Sequence, residues 1–215
     1  VMLYDCSVLA ERERGIAAAI EAVGRGDLIV MPTDTVYGIG ADAFKSWSVT
    51  ALNNAKGRTT PVPVLVGSRH TLDGLVFGLP QSARDLVDAF WPGALTIVVE
   101  HAPSLQWDLG STDGTVAVRM PLHPIALEVL RETGPMAVAS ANKVGQALPQ
   151  TAEEARDQLG YSVSVYLSTP AELDNVTSTI VDVTGPTPRA LRLGSIGLDQ
   201  LREVAPDMQG PAEQG

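Results

Sequence analysis

The chain of 215 residues holds one cysteine, Cys6. A single thiol excludes an internal disulfide framework and any zinc cage built on several thiolates. Cys6 reads as an ordinary thiol rather than a nucleophile. Basic residues are scarce: 15 Lys and Arg stand against 25 Asp and Glu, a formal net charge of -10. An acidic chain repels phosphate backbones, which argues against general nucleic-acid coating and leaves room for a local anion pocket. Aromatic residues make up only 5% and do not interleave with basic ones, so a base-stacking surface is not indicated.

Other absences narrow the chemistry. No apolar run approaches the ~18–20 residues of a membrane span. Residues 1–25 carry Asp5, Glu11, Arg12, Glu13, Arg14 and Glu21, which leaves no secretory apolar region. The chain therefore reads as cytoplasmic, and the sequon Asn175-Val176-Thr177 as accidental. His70, His101 and His123 are scattered and make no metal-binding spacing. There is no phosphate-binding Walker loop and no G-x-S-x-G elbow, and Gly38-x-Gly40 lacks the third glycine of a dinucleotide fingerprint. Nothing proposes a covalent nucleophile.

What remains is globular composition, 45% hydrophobic and 19% charged, in a chain long enough to bury about 70% of its unfolded surface. Helical spacing over 11–25 puts Ile16, Ala17, Ile20 and Val23 on one face, stopped by Gly24 and Gly26. Further helices are predicted over 46–55, from Pro80 to Trp91, from Pro124 to about 132, from Thr151 onward, and over 198–204. Short apolar runs predict strands at 27–31, 62–66, 94–99, 115–120, 136–139, 163–167 and 178–183. Several strands follow one another without a helix between them. That favours a single α/β domain, residues 1–205, with a twisted mixed parallel/antiparallel sheet and flanking helices. Residues 206–215 read as a flexible polar tail.

Four polar clusters fall at or just after strand ends, where open α/β sheets place ligands. In Pro32-Thr33-Asp34-Thr35-Val36-Tyr37-Gly38, two hydroxyls flank a carboxylate; this is either a self-satisfied turn or part of a site. Lys56-Gly57-Arg58 can present two cations to one phosphate chain, or simply end a helix. On 115–120, Arg119 shares a face with Thr115 and Ala117. A buried cation there needs a partner, either a ligand carboxylate or a structural one. Ser140-Ala141-Asn142 offers small residues, a hydroxyl and an amide, as a ligand loop or a turn. Ser178-Thr179 and Arg192 before Gly194 add weaker signals of the same kind. Hydroxyls and cations without a nucleophile suggest an anion site that works by positioning and charge neutralisation, as in phosphoryl or nucleotidyl transfer.

Taken in order, seven motifs resemble the YrdC-domain family, the threonylcarbamoyl-AMP synthases. They are Pro32 to Gly40, Ala55-Lys56-Gly57-Arg58, Phe90-Trp91-Pro92-Gly93-Ala94-Leu95-Thr96, Val116 to Pro121, Ser140-Ala141-Asn142, Ser178 to Asp182 and Leu191-Arg192-Leu193-Gly194. They span roughly residues 15–205, and the chain is most similar to the single-domain bacterial type. The resemblance implies a nucleotidyltransferase that makes threonylcarbamoyl-AMP and pyrophosphate from L-threonine, bicarbonate and ATP. It implies Mg2+ arriving with ATP, and no metal cage of protein side chains. The product would serve threonylcarbamoyl modification of tRNA adenosine 37 by downstream transferase proteins; direct contact with tRNA is left open.

The resemblance also implies roles. Thr35, Arg119, Ser178 and the backbone near Val138 correspond to the threonine pocket, with Arg119 on the carboxylate. Lys56 and Arg58 correspond to the catalytic phosphate ligands. Thr115, Ser140, Asn142 and Arg192 complete the ATP contacts. Two departures stand out. Thr59-Thr60-Pro61-Val62-Pro63 is shorter and less polar than the stretch relatives carry after the arginine. Lys143-Val144-Gly145 replaces a small residue, a Ser or Thr, and Gly. The alternatives are an RNA-binding module and a degenerate nucleotide or threonine binder without catalysis. A carbamoyl-transfer module of the hydrogenase-maturation kind is disfavoured, because one cysteine cannot build that family's zinc fingers.

Overall fold

Alternation along the strands decides which residues build the core and which stay open to a ligand. The computed structural model describes residues 1–58, 61–171 and 173–212. Among these, ten strands form one sheet: β1 (Met2–Asp5), β2 (Ile29–Met31), β3 (Gly38–Asp42), β4 (Val64–Leu65), β5 (Leu95–Glu100), β6 (Thr115–Arg119), β7 (Met136–Ser140), β8 (Val165–Ser168), β9 (Thr179–Asp182) and β10 (Arg189–Arg192). Their order is β1-β8-β2-β3-β7-β4-β6-β5-β9-β10. Four pairs are parallel (β1/β8, β2/β8, β4/β6, β5/β9) and five antiparallel, which bears out the mixed sheet.

Among the same residues seven α-helices flank it: α1 (Leu9–Arg25), α2 (Ser46–Lys56), α3 (Arg69–Leu75), α4 (Gln81–Phe90), α5 (Pro124–Thr133), α6 (Ala152–Leu159) and α7 (Leu198–Val204). Local chemistry sets their ends. Gly26 and Gly57 close α1 and α2 in the left-handed conformation that glycine adopts at least cost. Ser68 and Thr151 cap α3 and α6 by accepting from the amides of Thr71 and Glu154. Pro124 opens α5, where its missing N–H costs nothing.

The two faces of the sheet carry two apolar cores. On one, Val30, Val64, Ile97, Val99, Val116, Val118, Ala137, Tyr166 and Val181 meet the buried residues of α2, α3, α4, α6 and α7. On the other, Ile29, Met31, Val138, Val165 and Leu167 meet α1 and α5. In α1 the inward residues are Gly15, Ile16, Ala19, Ala22 and Val23. Ala17, expected on this face, is exposed, because the i, i+3, i+4, i+7 stripe runs through Ala19 instead.

Helices α1 and α5 contact one another; α1 lies over β1, β8, β2 and β3, and α5 shares its core with Leu65 of β4 and Met136 of β7. The strands β6, β5 and β9 also have one face in the first core, and their other face looks into a cavity rather than onto a helix. That asymmetry creates the site.

Among the described residues β1, β3, α3, β10 and a short 3-10 turn at Gly160–Ser162 escape the sequence prediction. The tail expectation also needs correction. Met208 is 2% exposed within the first core, and Gln209 pairs with Arg189 through the backbone. The docked chain thus reaches at least Gln209, because one apolar side chain there finds a cavity to fill. Residues 213–215 lie outside the described residues.

Candidate active site

The cavity encloses about 510 Å³. Strand parity supplies its floor. Thr115, Ala117 and Arg119 point in from β6, Thr96 and Val98 from β5, Ile180 from β9 and Val138 from β7. Their neighbours Val116, Val118, Ile97 and Val181 point the other way, into the core. Loops complete the walls with Thr33, Thr35 and Val36 after β2, Arg58 after α2, Ser111–Asp113 before β6, and Thr177 and Ser178 before β9. Ser140 and Arg192 stand at the ends of β7 and β10.

Arg119, 6% exposed, anchors one end. Its Nε donates to the Gly93 carbonyl at 2.9 Å, Nη1 to Thr35 Oγ1 at 2.8 Å, and Nη2 to Asp34 Oδ1. Asp34 also accepts from the amide of Leu122 at 3.0 Å. The partner demanded by this buried cation is thus a structural carboxylate. Burial pulls the guanidinium below its ordinary value, and Asp34 opposes that shift. Of the five guanidinium N–H groups three are engaged, which leaves one on each terminal nitrogen. A carboxylate has two oxygens to meet such a pair.

Thr33 resolves the first cluster's two readings by serving both. Its Oγ1 donates to the Val36 carbonyl and accepts from the amides of Thr35 and Val36, so the turn satisfies itself. In doing so it holds Thr35 beside Arg119, and both threonines line the cavity.

At the other wall, Thr96 and Ser178 share a hydroxyl–hydroxyl hydrogen bond of 2.8 Å. Arg192 donates Nε and Nη2 to the Ser178 carbonyl at 3.1 and 2.9 Å, and Nη2 also reaches Ser178 Oγ at 3.2 Å. Gly194 permits this packing: a Cβ there would fall 1.9 Å from the Thr177 carbonyl oxygen. Thr115 Oγ1 donates to Thr112 O at 2.7 Å, tying the 111–113 loop to β6. Arg58 lines the cavity, and its buried Nε has no hydrogen-bond partner among the described residues. An unmet buried donor beside a cavity is an open position for an acceptor.

Lys56 and Asn142 are placed differently from expectation. Neither lines the cavity. Lys56 is 2% exposed, and its ammonium donates to the carbonyls of Ser140 and Asn142, the latter at 2.7 Å. It also lies 3.3 Å from Ser140 Oγ and 3.4 Å from Asn142 Oδ1. Asn142 in turn accepts from Ser140 Oγ at 2.6 Å and donates to the Gln146 carbonyl at 2.9 Å. These two residues form a layer behind Ser140 and fix its loop. Burial, with repulsion from Arg58 second, lowers the Lys56 pKa to about 8. Lys143 is exposed. Thr59 and Thr60, in the shortened segment, lie outside the described residues.

Of the expected site residues, Thr35, Arg58, Thr115, Arg119, Val138, Ser140, Ser178 and Arg192 therefore line one cavity. The Val138 amide is already spent on the Pro63 carbonyl. Asp34, Thr96 and the 111–113 loop carry no expected role from the sequence. Thr96 was visible as the one hydroxyl within an apolar strand; the loop offered no comparable signal.

A family profile described as Telomere recombination, covering Sua5, YciO and YrdC, matches residues 21–194. The chain belongs to this family. Among its Sua5/YciO/YrdC relatives is a Mycobacterium tuberculosis protein named as a candidate threonylcarbamoyl-AMP synthase, 58% identical over 203 residues, 94% of each chain. The threonylcarbamoyl-AMP synthase of Bacillus subtilis is 35% identical over 91% of this chain and 58% of its own. A crystal structure of Pyrococcus abyssi Sua5 complexed with L-threonine superposes with a TM-score of 0.89 at 29% identity. That match covers 98% of this chain and 62% of the Pyrococcus chain, so this sequence spans less than two thirds of these longer relatives. Among the described residues no helix is long and apolar enough to cross a membrane, and no group of three His, Cys, Asp or Glu side chains could hold a metal ion.

Proposed function

We propose that this Sua5/YciO/YrdC protein is a threonylcarbamoyl-AMP synthase. It condenses L-threonine, bicarbonate and ATP to threonylcarbamoyl-AMP, pyrophosphate and water. The observation that carries the reading is the convergence of Arg58, Arg119 and Arg192 on one cavity in a chain of net charge -10. A reaction that gathers a nucleoside triphosphate, bicarbonate and an amino-acid carboxylate needs such a concentration of cations.

Arg119 takes the threonine carboxylate through its two remaining N–H groups, with Thr35, Ser178 and the Val138 side chain around the ligand. Arg58 and Arg192 face the phosphates, with Thr115 and Ser140 at the nucleotide. The threonine carbamate then attacks the α-phosphorus and pyrophosphate leaves. Arg58, whose Nε is unmet among the described residues, is the catalytic cation that stabilises charge on the departing pyrophosphate. Lys56 and Asn142 act one layer back, holding the Ser140 loop. Mg2+ enters with ATP as part of the substrate. The adenylate passes to downstream transferase proteins that modify tRNA adenosine 37 in the cytoplasm.

Incubation with ATP, threonine, bicarbonate and Mg2+ should yield pyrophosphate and the adenylate together. Omitting threonine should abolish both. Arg119→Ala removes charge-assisted hydrogen bonds worth ~1.5–3 kcal/mol, so threonine affinity should fall roughly 10- to 100-fold while ATP affinity changes less. Calorimetry on the folded variant checks this, since the change also leaves Asp34 unpaired. A protein that binds threonine and ATP yet makes no pyrophosphate would be the degenerate binder.

A further inference from the structure

The three arginines of the cavity differ in their counter-charge. Arg119 forms an ion pair, with Asp34, whereas among the described residues neither Arg58 nor Arg192 has a carboxylate partner. Arg192 spends its donors on Ser178, and Arg58 has an unmet Nε. Asp34 is not part of the cavity wall. It sits behind Arg119, with Oδ1 shared between the guanidinium and the Leu122 amide. Its place is held from the loop side by the Leu122 amide.

On the proposed function this cavity must seat two kinds of anion without exchanging them. One is a multiply charged phosphate chain; the other is the single carboxylate of an amino acid that also carries an ammonium. An uncompensated buried guanidinium prefers the more highly charged ligand. We propose that Asp34 is a specificity-determining residue that sorts these anions: it offsets the charge of Arg119, so that this end accepts a monoanionic carboxylate and rejects phosphate. Arg119 then recognises geometry, through one N–H on each terminal nitrogen, more than charge. Phosphate arriving there meets the Asp34 carboxylate immediately behind, a penalty of roughly tenfold or more in affinity for each unit of ligand charge. Arg58 and Arg192 lack that counter-charge and keep the phosphates. The sorting is thus achieved by a repulsive element, not by an added attraction.

The decisive variant is Asp34→Asn, which keeps an oxygen for Leu122 and Arg119 and removes only the charge. Asp34→Ser is a second charge-removing variant should the first fail to fold, and Asp34→Glu is the charge-retaining control. Pyrophosphate is the probe, both as an inhibitor at varied threonine or varied ATP and as a titrant in calorimetry. In the unaltered protein pyrophosphate should compete with ATP and not with threonine. In Asp34→Asn it should acquire competition against threonine, with an inhibition constant lowered at least tenfold, and calorimetry should reveal a second pyrophosphate site. Asp34→Glu should retain the original pattern. A merely structural role would lower stability without changing which substrate pyrophosphate displaces. A folded, uncharged variant with the original pattern and one pyrophosphate site overturns the inference and leaves the proposed function standing. If the unaltered protein binds neither threonine nor ATP, both readings fall together.

Discussion

Lys56 shows how the same residue type in the same motif serves a different purpose once its partners are known. From the sequence it is a cation two positions from Arg58. In the structure its ammonium is buried against the Ser140–Asn142 loop. Its pKa of about 8 lies below the 10.5 of an ordinary lysine because burial penalises the charged form. Between about pH 8 and 10.5 the unfolded chain holds more protons at this residue than the native one, so its contribution to stability rises with pH there. Deprotonation nevertheless weakens the bonds that place Ser140. We therefore expect kcat/KM to decline above a midpoint near pH 8 without loss of fold. A Lys56→Met variant should be slow throughout and lack that limb. Rate profiles paired with thermal melts at each pH check both halves; a loss of fold running parallel to the loss of rate would refute the assignment. Arg119 is the contrasting case. Its strand face was legible from alternation with Thr115 and Ala117, but its partner Asp34, 85 positions away, was not.

At the level of elements, regular alternation or helical spacing was readable and close approach was not. No strand is predicted over β3, where Gly38 and Gly40 punctuate the chain. The segment is a strand between β2 and β7 because the glycines make room for neighbours. A Cβ on Gly38 or Gly40 would lie 2.7 Å from Val138 Cγ1 or Met136 Cε. The terminal segment is similar: composition marks it as frayed, yet Met208 is buried beyond α7. Truncating that side chain should cost about 2–5 kcal/mol. Met208→Ala should thus lower the urea midpoint with an unchanged slope. A midpoint within error of the parent would return the segment to the status of a tail.

For the whole molecule, one sheet face is only half covered by α1 and α5, and the uncovered half is the cavity floor. Ligands that bind there bridge the segments after β2, between β5 and β6, at the end of β7, before β9 and at the end of β10, so binding should stabilise the entire fold. At a hundredfold excess over Kd one ligand adds about 2.7 kcal/mol, or roughly 5–10 °C for a chain of this size. ATP with Mg2+ and threonine should each raise Tm, and the Arg119→Ala variant should lose the threonine shift while keeping that of ATP. Equal shifts in both proteins would place threonine elsewhere.

The sequence by itself determined the α/β class, most of the elements and the polar clusters at their ends. Those depend on periodicity, capping and turn chemistry within a few residues of each other. The tertiary structure alone decided which face of β5, β6 and β9 stays open, and that Asp34 answers Arg119. It also decided that Lys56 supports a loop instead of lining the cavity. Each of these is a contact across tens of residues, where what matters is which side chain fills or leaves the space, and local pattern carries no record of that.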